Sequence, residues 1–168
     1  MKNLNIFFKK KMFFMFCFGF SSGLPILLVF STLSVWLVKA GINRSTITLF
    51  SWAGFAYAFK YLWSPLVDNY RLPIFKKFGH RRSWLFLTQI LIIFALILTS
   101  LTDPQKNLLY TAFFITLLAF FSSTQDIIID AFRIESAPQS LQGPLSSMYI
   151  SGYRVCLLYT SDAADDVR

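Results

Sequence analysis

Three charged residues stand inside apolar runs of the chain: Lys60, Asp126 and Arg154. A charge among apolar neighbours is costly unless it has a partner or faces a watery cavity. Two bases and one acid on separate runs therefore make a candidate polar site. Such a site can handle a charged substrate or a proton, because a carboxylate beside a basic group changes partners when it is protonated. The same residues can equally form a static ion pair that orients neighbouring helices. Asp130 lies one turn from Asp126 on the same helical face. Arg133 and Glu135 are close to it in sequence, so simple pairing at the water boundary is the plainer reading there.

Two further groups of residues carry possible mechanics. Asp68 ends one apolar run, and Arg81 and Arg82 begin the next. An acid facing a basic cluster can form a latch that helices break when they rock, although charge anchoring alone also explains the arginines. Gly19, Ser21, Ser22, Gly23 and Pro25 follow one another closely. They permit a kink at Gly19, Gly23 and Pro25 with hydroxyls to satisfy freed backbone groups, or a close crossing through small residues. His80 is the single histidine, and Cys17 and Cys156 are isolated in apolar runs, where each reads as a small buried hydrophobe. No phosphate-binding loop, metal-ligand cluster or nucleophile triad is present in the sequence. An intramembrane aspartyl enzyme would need acids from two helices, and Asp126 and Asp130 share one. The expectation is a chain that is not an enzyme and holds no metal or cofactor.

The elements that must position these residues follow from composition. Of 168 residues 55% are hydrophobic and only 14% charged, whereas a soluble domain carries about 25% charged residues. Disorder, collagen-like repeats and a disulfide scaffold are excluded on the same ground. A bilayer core needs about 20 apolar helical residues. The runs predict spans at 12–38, 45–67, 83–102, 107–131 and an incomplete fifth at 145–160. The fold class is therefore all-α, a polytopic helical membrane protein. At about 1.5 Å per residue, Lys60 lies roughly 10 Å, Asp126 roughly 12 Å and Arg154 roughly 15 Å inside their spans.

Basic residues set the orientation. With a cytoplasmic N-terminus (residues 1–11), that side holds Lys2, Lys9, Lys10, Lys11, Arg71, Lys76, Lys77, Arg81, Arg82 and Arg133, against Lys39, Arg44 and Lys106 opposite. The N-terminus is expected inside, and topology explains the net charge of +8 better than nucleic-acid binding does.

Several stretches together resemble one family. They are Gly19-Phe20-Ser21-Ser22-Gly23-Leu24-Pro25, the run from Phe59 to Asp68, Gly79-His80-Arg81-Arg82-Ser83-Trp84, the run from Ser123 to Ala131, and Gly152-Tyr153-Arg154. In order and register they are similar to the AmpG-like muropeptide permeases of the major facilitator superfamily. The resemblance implies a bacterial inner-membrane importer of anhydro-muropeptides, driven by the proton gradient, that serves wall recycling. The candidate substrate or proton pathway is Lys60, Gln125, Asp126, Asp130 and Arg154. The resemblance makes the Asp68–Arg82 segment the cytoplasmic gating motif, with Asn69 standing where the family pattern often has Arg. Its expected partners are membrane lipid, the muropeptide and a C-terminal half that these residues do not contain. Other readings are a facilitator for another bulky anionic solute and a non-transporting scaffold. Major facilitators have two six-helix halves with the site between them, so the chain reads as a fragment without transport activity of its own. Residues 12–155 read as the N-terminal bundle. The polar tail 156–168 reads as non-native sequence, or as a frameshift.

Overall fold

The computed structural model describes residues 10–70 and 79–165, with side chains described as far as Tyr159. Lys2, Lys9, Arg71, Lys76 and Lys77, on which the orientation partly rests, lie outside the described residues, as do residues 166–168 of the tail. Eight α-helices occur among the described residues: α1 (Lys10–Leu27), α2 (Leu33–Lys39), α3 (Arg44–Leu49), α4 (Phe55–Ala58), α5 (Ser64–Asn69), α6 (His80–Leu101), α7 (Leu108–Ser136) and α8 (Gln139–Asp165). No strand occurs among them, as expected where lipid leaves backbone groups no partner but their own helix. Among the described residues, three helical stretches are long and apolar enough to cross a membrane: Lys10–Lys39, His80–Leu101 and Leu108–Ser136.

The chain divides into two compact units. One comprises Met1–Leu27 and Ile129–Arg168, and the other Leu28–Ile128. In the first unit α1 lies against α8 with backbone touching backbone. A Cβ on Gly19 would run into the carbonyl oxygen of Tyr149, and one on Gly152 into the carbonyl oxygen of Phe16. A Cβ on Gly23 would lie 3.2 Å from both the Cys156 Cβ and the Tyr153 carbonyl oxygen. Small residues let helices approach this closely, and dispersion then accumulates along the seam. Beside the seam, Met12, Met15 and Leu145 form a buried cluster, packed by Phe18, Phe132, Leu141 and Met148. The open carbonyls at the end of α7 are capped from both neighbours: Lys11 Nζ donates to Ser136 O at 3.1 Å, and Gln142 Nε2 donates to Ala137 O at 2.8 Å. A cation at a helix C-terminus also opposes the negative end of its dipole.

The second unit centres on Val29, Leu33, Leu37, Ala53, Ile92, Ala95, Ile115, Leu118 and Ala119. Its first segment is a π-helical stretch, Leu28–Thr32. Pro25, one turn earlier, has no N–H to give to the preceding turn, and a π-turn is a usual way for a helix to absorb such a break. The irregularity thus follows Pro25, while Gly19 and Gly23 serve the contact with α8.

The second apolar run differs from the single span expected over 45–67. It is a series of short pieces: α3, a 3₁₀ segment Phe50–Gly54, α4, a 3₁₀ turn Lys60–Leu62, and α5. Pro65 sits in the first turn of α5. It has no N–H to give to the turn before it, while its fixed φ suits the first turn of a new helix. The break falls accordingly at Phe59–Trp63. Apolarity alone does not report such breaks, because it measures side chains and not backbone donors. The fifth run also differs: α8 begins at Gln139 and continues to Asp165, beyond the limit of 160. Ser161-Asp162-Ala163-Ala164-Asp165 is polar but contains neither Gly nor Pro, and polarity by itself does not end a helix.

Candidate functional site

The 3₁₀ turn at Lys60–Leu62 and the middle of α7 meet through two side-chain contacts. Lys60 Nζ lies 3.9 Å from Asp126 Oδ2. Three residues on, the indole N–H of Trp63 donates to Thr124 Oγ1 at 3.1 Å. The Thr124 hydroxyl donates to Phe120 O at 2.7 Å, so its lone pairs are left to accept from Trp63. The Trp63 and Phe120 rings lie 4.8 Å apart between centroids. The broken run is what makes this possible, since a 3₁₀ turn aims successive side chains differently from an α-helix.

The electrostatics are those of a loose pair. The Lys60 side chain is 34% exposed and that of Asp126 13%. At 3.9 Å the two charges attract each other but are too far apart for a hydrogen bond. A partly exposed pair of this kind adds little to stability, of the order of 0–1 kcal/mol. Around Asp126, α7 carries a polar stretch that is wholly buried: Ser122, Ser123, Thr124 and Gln125. Four such residues in succession point around the helix, so they make one full polar turn of α7 inside the unit. The hydroxyls of Ser123 and Thr124 are satisfied by the carbonyl of Phe120, as is common for Ser and Thr in membrane helices.

Of the residues singled out from the sequence, the structure brings Lys60 to Asp126 and places the buried Gln125 next to the latter on α7. Arg154 belongs to the other unit, where it is exposed on α8. Asp130 pairs with Arg133 one turn along, Oδ1 to Nη2 at 3.3 Å, and the Arg133 guanidinium lies 5.9 Å from the centre of the Tyr149 ring. That is the arrangement of a structural pair near a helix end. Cys156 is buried at the α1–α8 seam and Cys17 is exposed.

Asp68 meets one of the two arginines expected to face it. Arg81 Nη1 donates to Asp68 Oδ1 at 2.5 Å, a charge-assisted contact. Arg82 is exposed and takes no part in it. Two contacts that spacing did not reveal reinforce the latch. His80 Nε2 donates to the backbone carbonyl of Asp68 at 3.0 Å, and Trp84 Nε1 to that of Tyr70 at 2.8 Å. Because a carbonyl can only accept, Nε2 must carry the ring proton. Both bonds satisfy carbonyls that the end of α5 leaves open. Gly79, at φ +84°, makes the turn into α6 in a conformation that favours glycine. The recurrence of an N–H-bearing ring at positions 80 and 84, one turn apart, was the available signal.

Residues 11–142 match the sequence profile of the acetyl-coenzyme A transporter 1 family. The chain belongs to that family. Its curated relatives include AmpG 4 of Rickettsia conorii, a transporter by name, 41% identical over 164 residues, which are 98% of this chain and 40% of that protein. The anhydromuropeptide permease of Escherichia coli K12 is 37% identical over 161 residues, 96% of this chain and 32% of that one. AmpG 1 of Rickettsia conorii is 38% identical over 148 residues, 88% of this chain and 36% of the relative. The resemblance to AmpG-type permeases carried by the motifs is thus shared along most of the chain. The chain spans 40% or less of the length of these relatives. Its sequence is that of a multi-pass membrane protein of a transporter family.

Proposed function

We propose that the protein to which these residues belong imports anhydro-muropeptides across the bacterial inner membrane, using the proton gradient and no bound cofactor. The observation that carries this reading is the 37% identity to an anhydromuropeptide permease across 96% of the chain. The Lys60–Asp126 pair supports the same reading from physical chemistry. A carboxylate mostly withdrawn from solvent, beside a lysine that it does not hydrogen-bond, is able to gain a proton and release its partner. Release of the pair changes what joins the second run to α7, which is how a proton couples to a rearrangement. The Asp68–Arg81 contact acts as a cytoplasmic latch, with the N-terminus on that side of the membrane. The sugar and peptide portions of the substrate sit partly on these residues and partly on a second half of the transporter, so residues 1–168 alone carry no transport.

Uptake of labelled anhydro-muropeptide into cells that lack their own permease tests the proposal. The full-length gene restores uptake that collapses with a protonophore, and residues 1–168 alone do not. Competition by unrelated bulky anions would reassign the substrate. Retention of full activity by Asp126→Asn and Lys60→Gln would favour a scaffold over a coupled carrier.

A further inference from the structure

The role of Trp63 goes beyond the ion pair beside it. Of the four tryptophans, Trp36 packs against the core of the second unit. Trp52 is exposed with its edge on Phe55, and Trp84 is committed to the backbone near the latch. Trp63 alone shares its two contacting elements with the Lys60–Asp126 pair. Its plane is fixed twice, by the N–H bond to Thr124 and by the Phe120 ring. It nevertheless stays partly exposed.

We propose that Trp63 is a stacking platform for a pyranose ring of an amino-sugar substrate, with Lys60 and Asp126 receiving the polar edge of that ring. The inference rests on the transport reading above for its ligand class, and on this geometry for the site. A pyranose chair presents a face of axial C–H groups whose hydrogens are polarised positive by the attached oxygens. The face of an indole is negative and is the strongest such face among the side chains. Stacking demands a ring already held in place, since ordering a mobile side chain on binding costs affinity. The bond to Thr124 and the contact with Phe120 supply that order before the ligand arrives. The equatorial hydroxyl and acetamido groups both donate and accept, so they match an ammonium and a carboxylate together. The 3.9 Å separation of Nζ and Oδ2 is too long for a direct hydrogen bond between them, but a hydroxyl group can bridge it. Sugar binding and the state of the ion pair are then linked, because the ligand touches both.

Calorimetric titration of the full-length protein in lipid nanodiscs tests this. The probes are the peptide-free disaccharide N-acetylglucosaminyl-anhydro-N-acetylmuramic acid and, separately, the free stem tripeptide. Trp63→Leu should weaken the disaccharide roughly tenfold and leave the tripeptide unchanged. Trp63→Phe keeps a smaller flat face and loses the N–H bond to Thr124, so its disaccharide affinity should fall between those of Trp63→Leu and the unmodified protein. Equal disaccharide affinity in Trp63→Leu and the unmodified protein would overturn the platform while leaving the transport reading intact. Equal loss of both probes in both variants, with a lowered Tm, would make Trp63 a brace to α7 and also overturn it. Failure of the unmodified protein to bind either probe would overturn the transport reading and the platform with it.

Discussion

Where α1 meets α8, three glycines let two backbones touch. Where the second run meets α7, long polar and aromatic side chains make the contact. The first arrangement has no adjustable parts: a carbonyl oxygen occupies the space in which a Cβ would stand, and the packed surface has one geometry. The second is adjustable. Its ion pair is too long for a hydrogen bond, and its elements are short 3₁₀ and α pieces joined at Phe59 and Trp63. A transporter needs both kinds of contact, one that transmits movement without yielding and one that changes with its ligands. On the transport reading proposed above, the glycine seam takes the first role and the Lys60–Asp126 region the second.

The largest expected effect falls on the seam. Gly19→Leu or Gly152→Leu should prevent α1 and α8 from closing, and thermal unfolding in micelles should show a broad or absent transition. Even the alanine variants meet backbone at these positions, so a loss of about 1–3 kcal/mol each is expected, as for an overpacked core. If Gly19→Ala unfolds like the unmodified chain, the seam is softer than the contact implies. Next in size is Asp126→Asn in the full-length carrier. Proton-driven uptake should fall at least tenfold, while stability changes by no more than about 1 kcal/mol. A matched loss of stability and uptake would erase the distinction between the two regions, because the pair would then be structural. Asp68→Asn should slow uptake less, by a few-fold, since the bonds from His80 and Trp84 to backbone carbonyls survive the change. Adding His80→Ala should deepen that loss. The smallest effect is expected from Gly23→Ala. Its Cβ would stand 3.2 Å from the Cys156 Cβ and the Tyr153 carbonyl oxygen, so a shift of a few tenths of an ångström accommodates it. Its Tm should drop less than that of Gly19→Ala.

Much of this was legible from residue types. Apolar runs locate α6 and α7 within a few residues, because a helix in lipid must satisfy its own backbone and needs a minimum length. The same counting puts Lys60, Asp126 and Arg154 at nearly one depth; the structure places the first two 3.9 Å apart, whereas Arg154 is exposed on α8 in the other unit. The pairing of Asp130 with Arg133 is local, three residues along one helix, and was therefore readable from spacing. Trp63 and Thr124 were not readable, since 61 residues separate them and neither type is unusual in an apolar run. The break in the second run left a trace in Ser64-Pro65, but hydropathy outweighed it.

The composition and the order of apolar runs settle that the chain is helical, that it belongs in a bilayer, and which few charges are out of place there. Those are consequences of solvation and hydrogen bonding, which act on each residue where it stands. The tertiary structure decided which face each glycine of the first run presents, which of Arg81 and Arg82 meets Asp68, and which tryptophan stands beside the ion pair. Such choices depend on side-chain direction and on the approach of segments far apart in sequence, which no single stretch of the chain encodes alone.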